Sequence, residues 1–186
     1  MVQDKPKRIW LTVGLVIAGL VGLACVTCVL VVLNAPRLYD IVLARSSLRI
    51  GAAAPDFELT ALTEESMSLS QYRGQPVLLS FGASWCPDCR REAPLLQQLH
   101  VSHPELVILM VDSSETTGTV QSYVDEVGFT FPVLLDPDGR VNEQYDILAI
   151  PTELFIDDQG VIRAKVVETV TPQLLADSLP LIGIQP

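Results

Sequence analysis

The sequence predicts an α/β sandwich, a mixed central sheet with helices on both faces, preceded by one transmembrane helix. Three observations carry that expectation. From Glu58 onward, short apolar runs of strand length alternate with longer periodic segments, and the chain closes with a strand pair and a helix. Val77-Leu78-Leu79-Ser80-Phe81 lacks polar alternation, as a strand buried on both faces does. Residues 9–36 contain no charged side chain.

That uncharged run organises the first fifty residues. Met1–Arg8 is a basic head, placed in the cytoplasm by the orientation argued below. Within residues 9–36, Leu11–Leu33 is almost wholly apolar, and at about 1.5 Å per residue it spans roughly 34 Å, enough to cross the hydrocarbon core. Trp10 sits at the interfacial position. The run is too long for the apolar core of a cleaved signal peptide and lacks a small-x-small cleavage site, so residues 9–36 are expected to be an uncleaved anchor. Flanking cations do not orient it: Lys5, Lys7 and Arg8 balance Arg37, Arg45 and Arg49. Cys25 and Cys28, one helical turn apart inside the run, can be read as a second redox pair; lipid attachment at Cys25 fits poorly, since Gly22-Leu23-Ala24 matches a lipobox only in Ala24 and the apolar run continues past the cysteine. The plainer expectation is that they are tolerated small apolar residues. Residues 37–50 form a juxtamembrane stalk.

Charge separates this region from the rest. Residues 1–50 carry six basic and two acidic side chains, and residues 51–186 carry six and twenty, together the net −10 of the 186-residue chain. So acidic a domain argues against nucleic acid as a partner.

Within residues 51–186 the elements follow in order. Gly51–Thr60 begins as a loop and ends as a strand, with Met67–Ser70 as its hairpin partner. Tyr72–Pro76 is a turn, and the buried strand Val77–Phe81 follows. A helix runs through Arg90–Leu99, where Pro94 is expected to kink it. Val107–Val111 is a second buried strand ending at Asp112. Thr116–Val127 is a helix with Val120, Tyr123, Val124 and Val127 as its apolar stripe, stopped by Gly128. Phe131–Leu135 is a strand, Asp136–Gly139 a turn and Val141–Tyr145 a helical turn. Glu153–Ile156 and Val161–Val167 are strands about a turn at Asp157–Gly160. Thr171 and Pro172 open a last helix. Pro151, placed just before a strand, is a candidate for a cis peptide bond.

The chemistry centres on Trp85-Cys86-Pro87-Asp88-Cys89. A buried strand feeds a tight turn, and two cysteines three apart open a helix with Pro87 in its first turn. Unpaired N–H groups and the dipole at a helix N-terminus favour a thiolate, so the first sulfur is a nucleophile near neutral pH. The second sulfur, one turn on, can attack a mixed disulfide and release the substrate. A structural zinc site would need a second Cys/His pair, and none has the spacing. No metal or cofactor is expected.

These residues, with Ile150-Pro151-Thr152 some sixty positions later, resemble the thioredoxin superfamily. The opening Gly51-Ala-Ala-Ala-Pro-Asp-Phe-Glu-Leu59, the segment Leu69–Phe81 and Phe155-Ile-Asp-Asp-Gln-Gly160 narrow the likeness to membrane-tethered thiol–disulfide oxidoreductases of the TlpA/ResA type. The resemblance implies a thioredoxin-like three-layer sandwich with an N-terminal β-hairpin. It makes Cys86 the nucleophile, Cys89 the resolving cysteine, Pro151 the cis-proline and Trp85 the family's tryptophan. It also implies a disulfide-bearing protein substrate, for example in cytochrome c biogenesis, and a CcdA/DsbD-like membrane electron donor. Ser80 stands where thioredoxin has a buried acid. Glu153 stands where relatives commonly carry Thr or Ser, and either faces the site as a proton acceptor or points away to the surface. Ile150 offers its backbone to an extended substrate. Asp88 opposes thiolate formation and leans the pair towards reduction. A reductase gains from an anchor if its domain is extracytoplasmic, hence the orientation with the head inside. Two other readings stand beside this one. A peroxiredoxin-like thiol peroxidase would want Thr or Ser where Ala83 stands. A copper-chaperone-like protein would want a histidine near the cysteines, whereas His100 and His103 read as solvated residues at the far end of the Cys helix.

Overall fold

The computed structural model describes residues 49–185. The head, the anchor at 9–36, Cys25, Cys28 and nearly all of the stalk lie outside the described residues. Among the described residues no helix is long and apolar enough to cross a membrane.

A seven-stranded mixed sheet forms the middle layer, in the order β2-β1-β5-β4-β3-β6-β7. At its centre β3 (Val77–Gly82) pairs parallel with β4 (Val107–Ser113) and antiparallel with β6 (Thr152–Ile156). Parallel neighbours need a crossover, and α1 (Pro87–Ser102) supplies it between β3 and β4. The helix α2 (Thr117–Val127) does the same between β4 and β5 (Val133–Asp136). β1 (Glu58–Ala61) forms the N-terminal hairpin with β2 (Ser66–Ser68) and joins the sheet by pairing antiparallel with β5. β7 (Ile162–Val166) pairs with β6 at the other edge. A short α3 (Arg140–Gln144) and a closing α4 (Pro172–Ser178) complete the fold.

Two differences from the expected elements have local causes. β2 ends at Ser68 because Leu69–Tyr72 coils into a 3-10 turn that buries Leu69, with Ser68 N–H donating to Gln71 Oε1 at 3.2 Å. β5 starts at Val133 because Pro132 has no N–H for the ladder and contributes only its carbonyl, to Met110 N–H at 3.1 Å.

Alternation along each strand sorts the core into two layers. Leu78, Ile108, Met110 and Phe155 face α1, α2 and α4, against Leu96, Val120, Tyr123 and Leu175. Leu79, Phe81, Leu109 and Leu154 face the opposite side, against Phe57, Val141 and Tyr145. Four polar side chains interrupt the first layer: Ser80 of β3, Asp112 of β4, Glu153 of β6 and Glu92 of α1, all buried. They gather where α1 begins.

Candidate functional site

Cys86 is the N-cap of α1. Its Sγ accepts a hydrogen bond from the Cys89 N–H at 3.1 Å, and Pro87 follows as the first helical residue, where a missing N–H leaves nothing unpaired. Cys86 and Cys89 form a disulfide with their Cα atoms 5.3 Å apart. Both are nearly enclosed, at 3% and 4% exposure. The Ile150 carbonyl oxygen lies 3.8 Å from Cys86 Sγ, and the Ile150–Pro151 peptide is cis. Trp85 beside the disulfide and Leu148, two residues before Ile150, stand 65% and 90% exposed.

The turn that presents Trp85 is braced by charge. Ser84 donates from its N–H and its hydroxyl to the two oxygens of the Glu115 carboxylate, each at 2.6 Å. Arg90 Nε donates to the Ser84 carbonyl at 2.6 Å, pairs with Glu126 at 2.7 Å and lies over the Tyr123 ring.

Beneath the disulfide the environment is acidic. Glu153 is fully buried, and Ser80 Oγ donates to its Oε1 at 2.8 Å. The surface reading of Glu153 is therefore set aside: its register opposite Ser80 turns it into the α1 layer. Glu92, one turn after Cys89 on α1, accepts from the Val170 N–H at 2.9 Å. Burial first, then the neighbouring Glu92 charge, pushes Glu153 well above the ordinary carboxylate range. Burial likewise raises Glu92 to about 7. Two carboxyl groups in one dry site resist simultaneous ionisation, so Glu153 keeps its proton while Glu92 gains its charge through neutral pH. Asp88 sits at the surface in an ion pair with Arg91 at 2.7 Å, and its charge also raises Glu92.

The structure thus brings together Trp85, Cys86, Cys89, Ile150, Pro151 and Glu153, and leaves Pro87 and Asp88 on the outer rim. Glu92, Asp112 and Glu115 join the site without having been singled out from sequence. Glu92 carried a readable signal, since it falls on the buried stripe Cys89, Glu92, Leu96 and Leu99 of an amphipathic helix. Asp112 and Glu115 carried none. His100 packs edge-on against Phe131, with its Nδ1 buried and unpartnered, rather than being solvated. Like His103, it lies at the end of α1 away from the disulfide.

A thioredoxin-like sheet, a dithiol at a helix N-cap and a cis-proline beside it define a thiol–disulfide oxidoreductase of the ResA/DsbE type. The chain belongs to the AhpC/TSA family, whose model matches residues 50–165. It is 32% identical over 131 residues to the thiol-disulfide oxidoreductase ResA of Geobacillus kaustophilus, covering 69% of this chain and 75% of that protein. It is 31% identical over 182 residues to the ResA of Halalkalibacterium halodurans, covering 97% of this chain and 98% of that one. Among solved structures, one from Chlorobium tepidum assigned as a thiol:disulfide interchange protein DsbE matches with a TM-score of 0.69 and 30% identity, over 74% of this chain and 100% of that one.

Proposed function

We propose that the chain is a membrane-tethered, extracytoplasmic reductase of protein disulfides. Cys86 thiolate attacks a substrate disulfide, and Cys89 resolves the mixed disulfide, leaving Cys86–Cys89 oxidised. The observation that carries the direction is the buried Glu92–Glu153 pair below the sulfurs. Strong oxidants of this class owe their potential to a stabilised thiolate in the reduced form. A negative charge held in a dry site next to the dithiol works against that thiolate and favours giving electrons away. The exposed Trp85 and Leu148 and the open Ile150 carbonyl suit an extended polypeptide laid across the disulfide. The apolar run at 9–36 supports the tether, and a reductase outside the cytoplasm takes its electrons from a CcdA/DsbD-like membrane donor. By its likeness to the ResA proteins, an apocytochrome c is the leading substrate.

Equilibration of the chain with defined dithiol/disulfide buffers tests the direction. The expected potential lies near the thioredoxin value of about −270 mV, and a value near the DsbA figure of about −120 mV overturns the reductase. In intact cells, an impermeant thiol reagent should label Cys86 in the reduced chain, and protection of Cys86 there overturns the placement.

A further inference from the structure

The reaction above leaves a proton without a route. Cys89 is 4% exposed, yet its sulfur must gain a proton each time the disulfide opens and lose it each time the disulfide forms. The sulfur packs over Gly82 at the end of β3, within 3.4 Å of where a Cβ on that glycine would stand. In the sheet register the residue beside Gly82 on β4 is Asp112, whereas Glu153 pairs two positions deeper, with Ser80. Asp112 follows Met110 by two on the same face of its strand, so it belongs to the layer that holds Cys89. It is 1% exposed, and no N–H or hydroxyl donor reaches its carboxyl oxygens, while the Glu115 carboxyl is near enough to share a proton with it. A buried acid left unpaired is costly, and a structural role would have given it a donor.

We propose that Asp112 is the proton donor and acceptor for the Cys89 sulfur, exchanging that proton with solvent through Glu115. This rests on the Cys86/Cys89 exchange reading. In the oxidised chain Asp112 is protonated. When a dithiol donor attacks Cys86, its sulfur bonds to Cys86 Sγ, the Cys86–Cys89 bond breaks, and the electron pair leaves on Cys89. The Asp112 carboxyl gives its proton to that thiolate and is recharged from solvent by way of Glu115. The donor's second thiolate then attacks its own sulfur and frees Cys86 as a thiolate, so two electrons have moved from donor dithiol to protein disulfide. When the reduced chain meets a substrate disulfide, Asp112 first releases its proton to solvent by way of Glu115, its carboxylate then takes the Cys89 proton, and the resulting thiolate displaces the substrate from Cys86.

The surroundings fit that duty. Burial, and then the nearby Glu115 charge, raises Asp112 to about 8, so it holds its proton at neutral pH in the oxidised chain. Glu115, on the loop after β4, is only half-buried and is fixed by Ser84. Tyr123 of α2 feels the Asp112 charge together with Arg90 and Glu92 of α1 and Glu126 of α2, and its own hydroxyl is buried and unpartnered. Burial pushes Tyr123 to about 12, so it does not titrate across the working range.

The test is the rate at which dithiothreitol reduces the Cys86–Cys89 disulfide in the full-length chain, divided by the dithiothreitol thiolate concentration, from pH 5 to pH 10. The wild-type rate is expected to stay level and then fall through a break near pH 8 as Asp112 ionises. Asp112→Asn should be at least about tenfold slower at pH 7, with no break, since a positioned acid contributes ~10²–10⁴. Glu115→Gln, which keeps Asp112, should move the break to lower pH and serves if Asp112→Asn fails to fold. An Asp112→Asn profile parallel to wild type overturns the assignment, as does an unmoved break in Glu115→Gln. A break lost in Glu153→Gln but kept in Asp112→Asn also overturns it. A wild-type disulfide that dithiothreitol cannot reduce at any pH overturns the exchange reading itself, an outcome separate from the others.

Discussion

At the scale of single residues, three acids beneath the disulfide differ in what they meet. Glu153 has a hydroxyl donor in Ser80, Glu92 has a backbone donor in Val170, and Asp112 has neither. A carboxylate that accepts a strong hydrogen bond keeps its charge more readily than one that does not. Glu92, raised to about 7, changes its charge through neutral pH. Its effect on the dithiol follows with a definite sign. Above pH 7 the Glu92 carboxylate repels a thiolate one helical turn away, and below pH 6 it is neutral and does not. Glu92→Gln should raise the alkylation rate of the reduced dithiol by iodoacetamide about threefold to tenfold at pH 8 and leave it unchanged at pH 5.5. Equal rates at both pH values would remove Glu92 from the account.

At the scale of elements, the site is made by the junction of β3 and α1. The strand ends in Gly82, and the absence of a side chain there lets the Cys89 sulfur settle onto the sheet. A Cβ at that position would stand 3.1 Å from Met110 Cε and 3.4 Å from Cys89 Sγ. Met110 can yield, but the sulfur is held by its bond to Cys86. Gly82→Ala is expected to cost about 1–3 kcal/mol, the range for overpacking a dense core, with the oxidised form losing more than the reduced. Denaturant titrations of both redox forms measure the difference. A neutral substitution would mean that α1 rides more loosely on the sheet than the packing indicates. The helix itself continues through Pro94 to Ser102, although that proline has no N–H to offer the Arg90 carbonyl. Burial of Ala93, Leu96 and Leu99 against the sheet holds the two halves together.

At the scale of the whole molecule, buried carboxyls make folding depend on pH. In the folded chain Glu92 titrates at about 7 against an ordinary 4.5, and Asp112 at about 8 against 3.8. Both values are raised, so the folded state binds protons more tightly than the unfolded chain. The resulting stability is complete below the ordinary values and is lost as pH climbs through the folded ones. Between pH 4.5 and pH 8 the urea midpoint of the oxidised chain should therefore fall. Glu92→Gln and Asp112→Asn should each flatten that slope. A midpoint that rises over this window would show that the acids are solvated in solution. Ionising these acids in the folded chain costs stability at neutral pH.

Much of this molecule was determined locally, and so could be read from sequence. Val77–Phe81 declares a central strand because five residues with a single small polar member can only be buried on both faces. Cys86–Pro87–Cys89 declares a helix start because proline and a capping side chain both belong there. The motif and Pro151 together mark a disulfide-exchange site in the sequence itself. What tertiary structure alone decided is the electrostatic character of that site. Glu153, Glu92, Asp112 and Glu115 come from β6, α1, β4 and the loop after β4, and no spacing in the chain relates them. Strand register sets Glu153 against Ser80 and Asp112 against Gly82, while Glu92 reaches the same layer from α1 and Glu115 is held by Ser84. A carboxyl group's chemistry follows from its burial and its neighbours, and both are settled by packing rather than by sequence position.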